Sequence, residues 1–375
     1  MERVDVAVVG AGLLGSATAW ALGTRGVTAA LLEQFGFGHA RGSSHGATRI
    51  FRLSYPDPGY VRMALRAQDV WARLQADADE QLLVTTGGLD AGRDAAACAA
   101  ALAACGVAHT WLAGKEAAER FPGIAVRPGE RLLLQPDTGV CLAGRTVAAL
   151  QRAARRDGVQ VREHAGVTGI EPRGDGVVLR TGAGDLAARV AVVTAGPWAE
   201  HVLAGVLSRV PRLTATVQQV RYYSPARPAD PWPVLIEWRE AGPAWYAVPM
   251  AGDAPGVKVA GHARGRAVDP RDGPFREIDP ALEAEASDYV RARLPGLVPA
   301  GMAAETCLYT MTADEDFVLD REGPVVVGGG CSGHAFKFGP LLGEILAALA
   351  LGENTGLPLE RFSLRRPALA LAPQI

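Results

Sequence analysis

Cysteine is scarce in this chain, with five (Cys98, Cys105, Cys141, Cys307 and Cys331) in 375 residues. An odd, sparse set does not make a disulfide framework, and without a CxxC pair nothing points to a structural metal. A reducing, cytoplasmic setting is expected. An excess of one charge is also missing: the formal net charge is −2 and no basic patch is concentrated anywhere, so there is no electrostatic reason to expect nucleic acid as a partner. No apolar run approaches the roughly 20 residues of a membrane span. The amino terminus, Met1-Glu2-Arg3 leading into VDVAVVGAG, lacks the charged, apolar and cleavage regions of a signal peptide. A soluble protein without a membrane partner is expected.

What is abundant is glycine and proline, 45 and 25 residues, in a chain that is 49% hydrophobic. That composition suits a turn-rich α/β protein, and the length exceeds one ordinary core, which suggests two intertwined domains. Residues 4–9 (VDVAVV) read as an apolar strand. It leads into Gly10-Ala11-Gly12-Leu13-Leu14-Gly15, an alanine-rich helix, and a second strand ending at Glu33. This order is the dinucleotide fingerprint: Gly10, Gly12 and Gly15 let backbone amides approach a pyrophosphate, and Glu33 accepts ribose hydroxyls. The acid favours FAD or NAD over NADP and does not choose between the first two.

The loop GHARGSSHGATRIFRLSYPDPGY follows, with His45, Thr48, Arg49 and Arg52. If its turn is helical, Arg49 and Arg52 share a side and can meet an anion together; otherwise they are two solvated surface arginines. A helix over 58–76 shows Ala64, Ala67, Trp71 and Leu74 on one face. Strands are expected over 82–90 and 131–142, bracketing a helix capped by Asp94. A helix over 143–158 precedes four strands, the last ending in the small-residue turn Thr194-Ala195-Gly196. From 214 to 262 four strands with Pro- and Gly-rich turns suggest an antiparallel sheet. Period-two alternation puts Lys258 and His262 on one face of the last of these, and Cys307, Tyr309 and Met311 on one face of a later strand. Without further information Lys258 can equally extend to solvent, and Cys307 reads as a small buried hydrophobe. PVVVGGG into CSGHAFKFGPLLGEILAALALGE is a second strand, glycine loop and helix, whose amino terminus suits something negative. Two such units at opposite ends of the chain predict that the termini fold together.

The motifs GAGLLGSATAWAL, GSSHGATRIFR, GVKVAGH, CLYTMTADEDFVLD and GGGCSGHAFKFGP, in this order, resemble those of flavin-dependent amine oxidases of the monomeric sarcosine oxidase and N-methyltryptophan oxidase type, over nearly the whole chain. The resemblance implies an α/β plus α+β fold: a discontinuous Rossmann-like FAD-binding domain (1–84, 143–212 and 305–375) with an inserted antiparallel-sheet substrate domain (85–142 and 213–304). It implies FAD attached covalently through Cys307. Gly10, Gly12, Gly15, Glu33, His45, Val167 and Gly333 join Cys307 at the cofactor. Arg52 and Lys337 match the pair that grips a substrate carboxylate. Lys258 matches the lysine where oxygen is reduced, with Thr48 and Arg49 near it, and His262 and Tyr309 match the substrate side of the flavin. Cys331 and Trp245 stand where sarcosine-type members usually have a Phe and a Tyr, so the amine substrate is expected to differ. The implied reaction takes a secondary amino acid (sarcosine, another N-methyl amino acid or a cyclic imino acid) and O2 to an imine and H2O2, in a monomer or weak homo-oligomer. Alternatives are a flavin dehydrogenase with a non-oxygen acceptor, a biosynthetic enzyme oxidising a cyclic amino acid in several steps, and a nicotinamide-binding or regulatory Rossmann protein without flavin.

Overall fold

The computed structural model describes residues 1–263 and 265–371; the last four positions of the segment 305–375 lie outside them. An eight-stranded sheet contains Leu186–Val193, Glu2–Val9, Ala29–Leu32 and, at its edge, Gln160–Arg162, all parallel. Buried on both faces, the inner strands are nearly unbroken Val, Ala and Leu. The outer edge of Leu186–Val193 is shared: Gly176–Thr181 pairs antiparallel with its start and Val325–Gly329 parallel with its end. The two glycine-loop strands therefore lie in one sheet, as the repeated motif predicts. Their helices, Leu13–Gly23 and Gly339–Leu351, pack on each other so closely that a Cβ on Gly343 would come within 2.4 Å of the Ala17 backbone.

A nine-stranded sheet contains the four antiparallel strands expected between 214 and 262, namely Thr214–Tyr223, Val234–Trp238, Trp245–Val248 and Val257–Gly261. Ala303–Met311 runs along the whole of Thr214–Tyr223. Residues 305–311, grouped from the sequence with the cofactor segments, are thus hydrogen-bonded into this second sheet. Each strand expected over 82–90 and 131–142 breaks in two. Leu83–Thr85 and Gly139–Leu142 join Thr48–Phe51 in a small third sheet, while Gly88–Gly92 and Arg131–Gln135 join the nine-stranded one. The first of these breaks sits at Gly87, whose φ of +69° few other residues tolerate.

The helix Pro58–Ala78 is capped by Asp57, which accepts from the Gly59 amide at 2.6 Å, and its Ala64, Ala67, Trp71 and Leu74 are fully buried. Two local expectations need correction. Asp94 precedes the helix Ala95–Ala104 but makes no side-chain cap; its carboxylate instead lies 3.6 Å from Arg93. Arg49 is not on a helical turn, because 48–51 is paired as a strand with Gly139–Leu142. Among the described residues no helix is long and apolar enough to cross a membrane.

Candidate active site

Gly10 has φ +94°, and a Cβ there would lie 2.7 Å from the Thr194 carbonyl oxygen; on Gly15 it would lie 1.9 Å from the Gly10 oxygen. The turn from strand into helix can close this tightly only with hydrogen at both positions. Glu33, at the end of the second strand, is pinned beside it: the Ala11 amide donates to Oε2 at 2.9 Å and the Phe35 amide to Oε1 at 3.0 Å, with His39 Nε2 3.3 Å away. Burial works against its charge, yet the His39 ring and these two amides hold the carboxyl below its usual range.

A cavity of about 510 Å³ runs from Gly10, Glu33 and Val167 past Ser43 and His45 to Cys331, Gly333 and Phe336. In its wall Ser43 Oγ, His45 Nδ1 and Thr310 Oγ1 are buried and have no hydrogen-bond partner among the described residues. Gly333 has φ +75° and a Cβ there would strike the Tyr309 ring at 2.2 Å. A long groove with an acid at one end, unsatisfied polar atoms along it and a glycine-cleared opening at the other fits an FAD molecule.

A second cavity, about 380 Å³, adjoins the first through His45, Arg49, Tyr309, Gly333 and Phe336. Lys258 and His262 both border it, as strand alternation predicts, and Cys307 and Tyr309 line it from Ala303–Met311, which lies across Thr214–Tyr223 from the Lys258 strand. Lys258 Nζ donates to the Thr48 carbonyl oxygen, and burial with Arg49 nearby pushes the amine down to about 7. His262 is pushed down to about 4, first by burial and then by the cations Arg52 and Lys337. Burial raises the Cys307 thiol, while Arg49 and Lys258 act in the opposite sense.

Arg52 and Lys337 meet at the far side of this cavity. Lys337 Nζ donates to Tyr55 Oη at 2.9 Å and to the His334 carbonyl oxygen at 2.6 Å; burial, then Arg52, drives it well below the usual lysine range. The Arg52 guanidinium lies over the Tyr55 ring at 4.2 Å. A guanidinium and a buried amine that both contact Tyr55 suit a carboxylate, whose negative charge would favour the ammonium form of Lys337.

Three expected residues sit differently. Thr48 borders neither cavity and acts through its carbonyl, which accepts from Lys258 and from Arg49 Nη1. Cys331 lines the larger, cofactor-shaped cavity and not the one holding Arg52 and Lys337. Trp245 touches the smaller cavity, but its ring stacks on Tyr289 at 4.4 Å on the other side of the sheet. The aromatic residue that strand carries on the Lys258 face is Tyr246, because the register pairs Val248 with Lys258 and Tyr246 with Ala260. The Tyr309 hydroxyl bonds to Tyr246. Tyr246, Tyr55 and His334 are therefore site residues that the sequence reading missed. Alternation along AWYAVPM, set against the Lys258 strand, could have found Tyr246; for Tyr55 and His334 no spacing signals the contact.

The family described as FAD dependent oxidoreductase (DAO) matches residues 5–349. Human peroxisomal sarcosine oxidase is 35% identical to the chain, covering 98% of it and 97% of its own length, and monomeric sarcosine oxidase of Streptomyces avermitilis is 35% identical with 98% of each covered. Among solved structures, the open form of NikD, an unusual amino acid oxidase essential for nikkomycin biosynthesis, matches with TM-score 0.88 at 28% identity, covering 100% of both chains.

Proposed function

The chain belongs to the family of FAD-dependent oxidoreductases, and from that premise we propose that it is an oxidase of secondary amino acids, acting on sarcosine, another N-methyl amino acid or a cyclic imino acid. The observation that carries this reading is the buried pair of basic side chains, Arg52 and Lys337, in one cavity with Lys258, His262, Tyr246 and Tyr309. When bound, FAD supplies the two-electron chemistry: uptake of a hydride equivalent from the carbon next to nitrogen, and return of the electrons to dioxygen as hydrogen peroxide. Arg52 and Lys337 hold the substrate carboxylate and so fix the amine relative to the rings of Tyr246 and Tyr309. The Arg52 guanidinium also disfavours an ammonium ion, keeping the substrate amine neutral so that the carbon beside it can lose hydride. Uncharged His262 adds no further cation there.

Lys258 serves the second half of the reaction, since a cation at Nζ stabilises reduced oxygen as it gains negative charge. Cys307, which borders the smaller cavity, would hold the flavin through a thioether from Sγ to its 8α carbon, and forming that bond would require a two-electron oxidant, which dioxygen would supply. Residues 1–84, 143–212 and 305–375 form the cofactor domain in this scheme and 85–142 and 213–304 the substrate domain, with the tether delivered on a strand that belongs to the second sheet. Five free cysteines suit a cytoplasmic location.

An anaerobic screen of N-methyl and cyclic amino acids for bleaching of the flavin absorbance tests the proposal. At least one secondary amino acid is expected to bleach the flavin while its carboxamide does not, and admitting oxygen is expected to restore the colour and release peroxide. Bleaching by none of them overturns the substrate class, and recovery of colour without peroxide overturns the acceptor.

A further inference from the structure

A buried carboxylate stands behind Arg52. Asp90, on the strand Gly88–Gly92, is 2% exposed and borders neither cavity, although its ladder neighbour Ile236 lines the smaller one. An anion in such a place costs desolvation unless polar groups compensate it. Three groups turn toward it. Trp238 Nε1 donates to Oδ1 at 3.4 Å, the Ser54 hydroxyl bonds to the carboxylate, and Arg52 Nη1 lies 3.9 Å from Oδ1, a charge contact longer than a hydrogen bond. The same Nη1 donates to the Ser54 carbonyl oxygen at 2.5 Å. The guanidinium is also enclosed by rings, 4.2 Å from the Tyr55 centroid and 5.3 Å from that of Trp238.

Arg52 and Trp238 both face the cavity, and Asp90 touches both from behind. Burial raises the Asp90 carboxyl above its usual range despite the opposing pull of Arg52, Ser54 and Trp238, so its charge depends on this company. We propose that Asp90 is a positioning residue for substrate recognition: its carboxylate holds the Arg52 fork and the Trp238 ring in one arrangement, so that a substrate carboxylate meets a prealigned guanidinium. This rests on the reading of Arg52 as a carboxylate anchor. Preorganisation of this kind reduces the ordering cost of binding, and it acts on ligands that carry the carboxylate and spares those that lack it.

The test uses the flavin-loaded enzyme and two probes of equal shape, furan-2-carboxylate and furan-2-carboxamide, with Kd read from the perturbation of the flavin absorbance. Asp90→Asn keeps an acceptor for the indole and removes the charge. It is expected to weaken the carboxylate about tenfold and the amide by less than about twofold, the coupling usual for contacting residues. In an Arg52→Met background Asp90→Asn is expected to have no further effect on the carboxylate. Equal weakening of both probes, or the same weakening in the Arg52→Met background, overturns the proposal. Arg52→Met with an unchanged carboxylate Kd overturns the anchor reading itself, and the role of Asp90 falls with it. Should Asp90→Asn not fold, Trp238→Phe keeps a ring over Arg52 while removing the N–H that Asp90 accepts. A carboxylate-selective loss supports the proposal in that variant, and no loss overturns it.

Discussion

Lys258 is a buried amine joining two sheets: it stands on Val257–Gly261 and donates to the carbonyl of Thr48 in the small sheet. Burial and Arg49 bring it to about 7, so near neutral pH a modest change of surroundings decides its charge. If it serves oxygen reduction, Lys258→Met leaves anaerobic flavin reduction by substrate nearly intact and slows reoxidation by about 100-fold or more, the usual cost of removing one stabilising charge or donor. Stopped-flow mixing of the reduced variant with oxygenated buffer checks this, and a wild-type rate would disprove the role. The same residue has a signature in stability. Between about 7 and its ordinary 10.5, the unfolded chain binds a proton at Lys258 that the folded chain does not. The unfolded state thus holds more protons in that window, and the folded state gains stability as pH rises through it; below about 7 the penalty is constant and full. In flavin-free protein Lys258→Met is therefore expected to raise Tm most at or below pH 7, with the advantage shrinking toward pH 10.5. Thermal melts across that range measure it, and a gap that widens with pH would contradict the assignment.

At the scale of elements, the two strand, glycine-loop and helix units are held by backbone contacts that allow no side chain. Gly15→Ala puts a Cβ 1.9 Å from the backbone oxygen of Gly10 and 2.6 Å from Thr194 Oγ1, whereas the nearest atom to a Cβ on Gly12 is the movable Ser44 Oγ at 3.0 Å. The flavin-free protein is expected to lose about 1–3 kcal/mol from Gly15→Ala and distinctly less from Gly12→Ala, measurable by denaturant melts. Equal losses would mean that the turn relaxes more freely than its contacts imply. These units were legible in the sequence because their signals are local: fixed glycine spacing, an apolar strand before and a helix after. The same holds for the helix face of Ala64, Ala67, Trp71 and Leu74 and for the alternation of Lys258 with His262. Legibility stopped where a partner strand decides. Arg49 lies on a strand because Gly139–Leu142 pairs with it, and the exchange of Trp245 for Tyr246 follows from a register set eleven or more residues away, by Val257–Gly261. The rear contact of Asp90 with Arg52 is likewise tertiary, since nothing in either local segment marks the other.

For the whole molecule, the larger cavity takes its walls from both large sheets: Gly10, Glu33 and Gly329 from or beside the eight-stranded one, and Leu308, Tyr309 and Thr310 from the nine-stranded one. A cofactor seated there contacts both, and the chain places Cys307 on the strand of the second sheet. Binding energy for the native state is then shared by the two halves. A ligand present at 100 times its Kd adds about 2.7 kcal/mol to stability. Cys307→Ala removes the proposed tether, so its flavin is expected to leave on acid precipitation while the wild-type flavin stays with the protein; flavin retained by the variant would disprove the attachment site. With the tether gone, FAD becomes an ordinary ligand that can be removed and titrated back. Calorimetry of this variant is expected to show Tm rising with FAD concentration and both sheets melting in one transition once FAD is in excess. A titration that lifts one transition and leaves another behind would show that the flavin is held by the first sheet alone, and that the Cys307 strand meets it only through the covalent bond.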